Sequence, residues 1–121
     1  MKIMIVDDHE DMRRILRIVI SNSFSIPLDI LECDSGEKAV LKYNEYTPDV
    51  VFMDIELKKM DGFEATAIIR EQDSKANIIF VSSNDTSNYK AKAQELNAIG
   101  FVSKRNLLDI APILSSLIKK R

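Results

Sequence analysis

Short apolar runs alternate with longer stretches of helical period along this chain, and four of the runs end in polar residues. The four runs and the residues that close them are 3–6 with Asp7 and Asp8, 50–53 with Asp54, 78–81 with Ser82, and 101–103 with Lys104. If the runs are neighbouring parallel strands, these polar side chains meet at the carboxyl edge of one sheet, where open α/β sheets bind ligands. The pattern therefore predicts three carboxylates, a hydroxyl and an ammonium group in one place, a set that suits a divalent cation and a phosphoryl group.

The stretches between the runs predict helices. Met12, Ile15, Leu16 and Val19 recur at the spacing of one face of an amphipathic helix. A weaker strand is predicted over 30–33, and the remaining stretches predict four more helices. Five strands that alternate with five helices indicate an α/β fold, with a parallel sheet covered on both faces.

Three features indicate where helices begin and end. Asp34, with Glu37 three residues later, resembles a capping box at the start of the second helix. The fourth helix is predicted to run to about Ala98. Pro112 lies inside the last apolar stripe, so the last helix starts near Ala111 or is kinked.

Length and composition indicate one compact domain over 1–121. The chain has 121 residues, of which 45% are hydrophobic, and this is enough for a substantial core. Its 17 basic and 19 acidic residues give a net charge of −2. Domains that bind nucleic acid through bulk charge are usually strongly basic, so no direct nucleic-acid partner is expected.

Cysteine content and hydropathy indicate the cellular compartment in which the protein functions. Cys33 is the single cysteine, so no internal disulfide is possible and a reducing compartment is favoured. No stretch approaches the roughly 18 apolar residues of a membrane span, and no signal peptide precedes the first strand. We therefore expect a cytoplasmic protein with no membrane partner.

The residues at the strand ends have a chemical interpretation and a purely structural one. Mg²⁺ is usually held by one or two carboxylates plus water and phosphate, and Asp7, Asp8 and Asp54 could supply them. Aspartates at strand ends also commonly cap the helices that follow. A lysine can pair with a carboxylate and with phosphate, and a hydroxyl can donate to a phosphoryl oxygen. Lys104 and Ser82 therefore shift the balance towards the chemical interpretation.

The combined pattern resembles the receiver domain of bacterial two-component response regulators, over essentially the whole chain. The segments that carry the resemblance are the Asp7-Asp8 pair, Met53-Asp54-Ile55, Met60-Asp61-Gly62, Ser82, and the segment from Gly100 to Lys104. The resemblance implies a doubly wound, flavodoxin-like fold with strand order 2-1-3-4-5. It also implies phosphoryl transfer from a phosphohistidine to the central aspartate with Mg²⁺ as cofactor.

The resemblance assigns a role to each matching residue. Asp54 would be the phosphoacceptor, a role that carboxylates can fill as nucleophiles. Asp8 would bind Mg²⁺ directly, Asp7 mainly through water, and Glu56 through its backbone carbonyl, with Asp54 completing the protein ligands. Lys104 would neutralise phosphoryl charge. Catalysis would consist of positioning and electrostatics, and the chain would be no enzyme beyond assisting its own phosphorylation and dephosphorylation.

The same resemblance implies a switch and its partners. Ser82 would move towards the phosphoryl group, and Phe101, at the switch-aromatic position, would turn inward behind it; Phe101 would otherwise be an ordinary core aromatic. The phosphodonor would be a sensor histidine kinase or a histidine phosphotransferase. The downstream protein would bind the face formed by the fourth helix, fifth strand and fifth helix, and the phosphorylated chain could form a homodimer.

Several positions depart from the family pattern. Arg105 stands where a proline with a cis bond usually follows the active lysine, which leaves the Lys104-Arg105 conformation open. Glu56 and Asn84 occupy positions that tune phosphoryl lifetime in this family. His9 follows the acidic pair and is expected to be solvated rather than a metal ligand.

Other functions remain as alternatives. The chain could be the receiver portion of a longer DNA-binding transcriptional regulator, or a pseudo-receiver that binds partners without phosphorylation. An aspartate-nucleophile phosphatase would carry a second aspartate two residues after Asp7, where this chain has His9. A flavin or dinucleotide module is disfavoured because no phosphate-binding loop follows the first strand and only 3 glycines are present.

Overall fold

The computed structural model describes residues 1–119, and residues 120 and 121 of the predicted domain lie outside the described residues. Five strands alternate with five helices. They are β1 (Lys2–Val6), α1 (Glu10–Asn22), β2 (Asp29–Cys33), α2 (Gly36–Tyr46), β3 (Val50–Asp54), α3 (Gly62–Gln72), β4 (Ile78–Ser82), α4 (Ser87–Glu95), β5 (Gly100–Ser103) and α5 (Ile110–Lys119). All neighbouring strands are parallel, in the order β2-β1-β3-β4-β5. The predicted fold and strand order are confirmed.

The sheet separates two apolar layers because alternate residues of each strand face opposite sides. In β1, Met4 and Val6 join the layer under α2, α3 and α4, whereas Ile3 and Ile5 join the layer under α1 and α5. Every residue of β3 and β4 is buried. The continuous apolar runs in the sequence reflect this burial on both faces, which is typical of central parallel strands.

The start of α2 differs from the sequence prediction. Ser35, not Asp34, is the residue before the helix, and its hydroxyl accepts a hydrogen bond from the Lys38 backbone N–H. Asp34 instead forms an ion pair with the Lys38 ammonium at 3.0 Å. Two adjacent capping residue types cannot be ranked from sequence alone, because the backbone direction decides which side chain reaches the free N–H groups.

The later helices also refine the prediction. The α4 helix ends at Glu95, earlier than Ala98, and Asn97 takes a left-handed backbone conformation with φ of 56°. A short 3₁₀ turn over Leu107–Asp109 leads into α5, which places Pro112 in the first helical turn. Proline is tolerated there because the first-turn N–H groups have no partner within the helix.

The structure also answers a question about the backbone that the sequence left open, and it bears on the membrane prediction. All peptide bonds among residues 1–119 are trans, so the Lys104-Arg105 bond is trans as well. In this part of the chain, none of the helices combines the length and the hydropathy that a membrane crossing requires.

Candidate functional site

The strand register brings the predicted polar residues to one edge of the sheet. Val6 of β1 is level with Met53 of β3, so Asp7 and Asp54 follow at the same height. Asp54 is level with Val81 of β4, and Ser82 closes that strand. The Lys104 backbone N–H then donates to the Ser82 carbonyl at 2.9 Å. The parallel topology therefore unites residues that lie far apart in sequence.

Lys104 joins two buried carboxylates at this edge. Its ammonium nitrogen lies 2.9 Å from Asp7 Oδ2 and 3.3 Å from Asp54 Oδ1. Asp7 is fully buried and Asp54 is 4% exposed. Asp54 Oδ1 also accepts a hydrogen bond from the Ile55 backbone N–H at 2.9 Å. One cation therefore neutralises two acidic groups that have little access to water.

This crowding shifts the pKa values of Asp54 and Lys104. Burial, followed by repulsion from Asp7, raises the pKa of Asp54 to about 6, and Lys104 opposes the rise. Burial works against the charge of Lys104, but the carboxylates of Asp7 and Asp54 outweigh it and raise the lysine pKa. The shifts follow from desolvation and from neighbouring charges, and perturbed groups of this kind often mark functional sites.

The acidic pair after β1 has unused acceptor capacity. Asp7 Oδ1 accepts a hydrogen bond from the His9 backbone N–H at 2.9 Å. Asp7 Oδ2 faces the Lys104 ammonium, yet it accepts no hydrogen bond of good geometry, and the buried Asp8 Oδ1 accepts none either. Buried carboxylate oxygens without donors are costly unless a cation satisfies them. The oxygen-rich donor set fits a hard divalent ion such as Mg²⁺.

His9 lies closer to the acidic pair than expected for a solvated side chain. Its Nδ1 atom is 3.0 Å from Asp8 Oδ1 and 3.3 Å from Asp7 Oδ1, although the side chain is 74% exposed. The three residues together form a group that could hold a metal ion. The expectation that His9 is no ligand stays a prediction.

Arg13 holds the loop after β1, and the sequence pattern gives no indication of this role. It reaches from α1 to donate to the Asp7 carbonyl oxygen at 2.8 Å, and its Nε donates to Glu32 Oε1 at 2.9 Å. Periodicity places Arg13 next to the apolar stripe of α1, but only the position of β2 supplies Glu32. No local sequence signal could have identified this contact.

Gly62 packs against the backbone of Asp54 and Ile55. A Cβ atom there would collide with the Asp54 carbonyl oxygen and lie 2.8 Å from the Ile55 Cα. The Gly62 N–H donates to the Ile55 carbonyl at 2.8 Å. Asp61 and Glu64 form a full capping box at the start of α3. This Asp-Gly-x-Glu spacing is a signal for a helix start that can be read from the sequence.

Ser82 lies at the carboxyl edge of the sheet, as predicted, but its hydroxyl group is hydrogen-bonded within the loop that follows β4. It is fully buried, and its hydroxyl oxygen accepts a hydrogen bond from the Asn84 backbone N–H at 3.0 Å. Further along the same loop, Asp85 Oδ2 forms an exposed ion pair with Arg105 Nη2 at 2.9 Å. This ion pair joins the loop after β4 to the loop after β5.

The remaining predicted residues lie around this centre. Glu56 is exposed in the loop that follows β3. Phe101 pairs in register with Phe80, two positions before Ser82 on β4. It is half-buried and packs against the core layer under α4, and its role as a switch aromatic stays a prediction. Together with Lys90, it lines an open groove of about 430 Å³ between α4 and β5.

Comparisons with known proteins agree with this geometry. Residues 3–112 match the family model of the response regulator receiver domain. The chain is 39% identical over 103 residues to a chemotaxis protein CheY of Halobacterium salinarum, which covers 85% of this chain and 83% of that protein. It is 36% identical over 104 residues to the CheY of Bacillus subtilis, covering 85% and 84% of the two chains.

Solved structures give the same result. A LuxR-family two-component response regulator from Aurantimonas sp. SI85-9A1 is 31% identical with a TM-score of 0.89, over 99% of this chain and 86% of that chain. The CheY chain in a complex from Borrelia burgdorferi is 26% identical with a TM-score of 0.82, over 97% and 88%. The chain therefore belongs to the response regulator receiver domain family and is a CheY-like signalling domain of two-component systems.

Proposed function

We propose that this domain is switched by transfer of a phosphoryl group from a phosphohistidine to Asp54. The donor is a sensor histidine kinase or a histidine phosphotransferase. The observation that carries the proposal is the Lys104 ammonium placed 2.9 Å from Asp7 and 3.3 Å from Asp54 at the carboxyl edge of the sheet. A buried carboxylate beside a cation and an acidic pair has the parts that phosphoryl transfer requires.

The transfer needs little covalent chemistry from the protein. An Asp54 carboxylate oxygen attacks the phosphorus, the phosphorus–nitrogen bond of the phosphohistidine breaks, and its electron pair stays on the imidazole nitrogen, which takes up a proton. Lys104 stabilises the charge on the transferred oxygens. Hydrolysis of the aspartyl phosphate by water restores the resting carboxylate and releases inorganic phosphate. Apart from the phosphohistidine donor and water, the reaction therefore involves only the domain's own Asp54.

Magnesium fits the donor set at this edge. Asp8 and Asp54 would hold it directly, Asp7 mainly through water, and Glu56 through its carbonyl oxygen. The buried Asp8 Oδ1 atom, which accepts no hydrogen bond, supports this assignment. When bound, Mg²⁺ neutralises charge on the phosphoryl oxygens. The related CheY from Borrelia burgdorferi was solved in a complex that contains BeF₃ and Mg²⁺.

The output is a change on the face formed by α4, β5 and α5. Ser82 leaves the Asn84 N–H to donate its hydroxyl proton to a phosphoryl oxygen, and Phe101 turns inward. The groove of about 430 Å³ beside Phe101 supports this face as the binding surface for a downstream protein. The Borrelia complex pairs CheY with the protein CheX, and a phosphorylated homodimer would use the same face.

A second candidate is the receiver part of a longer DNA-binding regulator. The observation that favours it is the match to the LuxR-family regulator at 31% identity. The chain also covers 51% of a putative transcriptional regulator from Pseudomonas aeruginosa at 29% identity. Both candidates share the phosphorylation chemistry and a cytoplasmic location, and they differ in the output alone.

The test is intact-mass measurement after incubation with acetyl phosphate and Mg²⁺. The wild-type protein should gain one phosphoryl group, and chelation of Mg²⁺ should abolish the gain. Asp54→Asn should gain none, whereas Asp11→Asn, which changes an aspartate whose side chain is 90% exposed, should behave as wild type. An unmodified wild-type protein with its fold shown intact by circular dichroism would favour the pseudo-receiver alternative.

A further inference from the structure

We propose that Arg13 is a positioning residue for the metal-binding loop, defined here as residues 7–9, and that it sets the affinity of this loop for Mg²⁺. It acts through the main-chain carbonyl of Asp7 and makes no contact with the phosphoryl group. The inference rests on the proposed magnesium site and extends it to a residue outside the ligand set.

Both polar backbone groups of Asp7 are tied to neighbouring elements. Its N–H donates to the Cys33 carbonyl of β2 at 3.1 Å, and its carbonyl oxygen accepts from Arg13 Nη1 at 2.8 Å. That carbonyl belongs to the peptide plane that links Asp7 to Asp8. Because a peptide plane is rigid, the arginine fixes the orientation of the plane that carries the Asp8 N–H and Cα, from which the Asp8 side chain extends.

Arg13 is itself held in one orientation. Its Nε donates to Glu32 Oε1 at 2.9 Å, and the other oxygen of Glu32 pairs with Arg17 at 2.9 Å. The Arg13 side chain is 15% exposed and that of Glu32 29%. Charge-assisted hydrogen bonds with little access to water are strong and directional. The guanidinium group is therefore held in place, with its Nε atom bound to Glu32 on β2 and its Nη1 atom bound to the loop.

The neighbouring arginine provides a matched control. Arg14 is 61% exposed and pairs with Glu10 and Asp11, which lie on its own helix. These ion pairs stay within α1 and do not reach the loop. Both arginines carry the same charge at nearly the same distance along α1, so the comparison separates a positioning effect from a long-range charge effect.

The expected effect is a loss of metal affinity in a folded protein. Removal of a residue that orients a metal ligand typically lowers metal affinity 10–100-fold. We expect Arg13→Gln to weaken Mg²⁺ binding by about 10-fold. Arg13→Lys keeps a cation and one donor and should recover part of the loss. Arg14→Gln should bind as wild type.

The test is a Mg²⁺ titration of uniformly ¹⁵N-labelled wild type, Arg13→Gln, Arg13→Lys and Arg14→Gln, followed by the amide resonances of residues 7–9. Urea unfolding of each variant runs in parallel. A merely structural arginine would lower the free energy of unfolding and leave the dissociation constant of the folded fraction unchanged. The positioning role instead changes the dissociation constant itself.

A further variant covers the case in which Arg13→Gln does not fold. Glu32→Gln keeps Arg13 and the hydrogen-bonding shape but removes the charge that holds the guanidinium, so it should weaken Mg²⁺ binding less than Arg13→Gln. Equal Mg²⁺ affinity in wild type and in every folded Arg13 and Glu32 variant would overturn the inference alone. A wild-type protein that binds no Mg²⁺ would overturn the proposed metal site as well as the inference.

Discussion

The two sides of the carboxyl edge are held in different ways. On the acidic side, formed by Asp7, Asp8 and Asp54 with their supports, the links are ion pairs from Lys104 to two buried carboxylates and a part-buried arginine contact to the backbone. On the switch side, formed by residues 82–87 with Phe101, the links are short-range hydrogen bonds within one loop and an exposed ion pair. Exposed pairs contribute little to stability.

This difference suits the division of tasks in a switch. In the proposed function the acidic side presents the metal ligands and the phosphoacceptor in one geometry, because phosphoryl transfer depends on positioning. The switch side must exchange one set of contacts for another, and regions that rearrange are drawn from weakly held parts of a structure. The same sheet edge therefore carries a rigid half and a half that can rearrange at low cost. Five predictions test this contrast.

The largest effect should come from adding one methyl group on the acidic side. Gly62→Ala places a Cβ against the Asp54 carbonyl oxygen and the Ile55 Cα, and backbone atoms cannot move aside. We expect a loss of about 3 kcal/mol or more in the free energy of unfolding, measured by urea denaturation.

Gly100→Ala is the matched control. Its Cβ would lie 2.7 Å from the Ile113 Cδ1 atom, the end of a flexible side chain. The expected loss is about 1 kcal/mol, at the low end of the usual cost of overpacking. Equal losses for the two glycine variants would show that the acceptor loop yields as easily as a side chain.

Lys104→Met and Arg105→Met compare two adjacent cations. Lys104 contacts the acidic side of the carboxyl edge, and Arg105 contacts the switch side. Loss of the Lys104 charge leaves Asp7 and Asp54 side by side without compensation. Breaking a buried pair typically costs 3–5 kcal/mol, and we expect about 2 kcal/mol at pH 7 without Mg²⁺, because Asp54 can take up a proton. The side chain of Arg105 is 70% exposed, and its variant should unfold as wild type does, within the uncertainty of urea denaturation.

The two variants should also differ in their rates of phosphorylation by acetyl phosphate. Lys104→Met should form the acetyl-phosphate adduct at least about 100-fold more slowly, since removal of a charge-stabilising group costs that much in comparable sites. Arg105→Met should stay within a few-fold of wild type. A rapid adduct in Lys104→Met, followed by intact mass, would contradict the role given to the lysine.

Ser82→Ala probes the switch side. The Asn84 N–H loses its acceptor, so the free energy of unfolding should fall by about 1 kcal/mol. Adduct formation on Asp54 should continue within about 10-fold of wild type, because the hydroxyl contributes one neutral hydrogen bond to the charged group. Ser83→Ala, at an exposed position, is the control. An adduct lost only in Ser82→Ala would show that the Ser82 hydroxyl is required for phosphoryl transfer itself.

The smallest effect concerns the pH dependence of the Arg13 support. Burial opposes the charge of Glu32, but hydrogen bonds from Arg17 and Arg13 outweigh it and hold the pKa below its ordinary value of 4.5. A depressed carboxyl pKa gives stability that is present above this value and is lost as pH falls through the folded-state pKa.

The unfolding free energies of wild type and Glu32→Gln should therefore differ by less than about 1 kcal/mol at pH 7. The difference should shrink as pH falls from 6 towards 3, as followed by urea denaturation. A difference that is independent of pH would show that the Glu32 charge does not support Arg13.

The sequence by itself determined the architecture and the centre of the site. Alternating apolar runs and helical periods are local properties, and parallel strands necessarily bring their carboxyl ends to one edge. The positions of Asp7, Asp54, Ser82 and Lys104 at the ends of apolar runs were therefore enough to predict that these side chains meet. The resemblance added the strand order and the roles.

Only the tertiary structure decided how these residues are supported. Whether Asp34 or Ser35 caps α2 depends on the backbone direction at that turn. The contact between Arg13 and Asp7 depends on a glutamate on another strand, and the raised pKa of Asp54 depends on burial from several elements at once. These properties arise from residues that are distant in sequence, and periodicity and capping rules carry information about near neighbours alone.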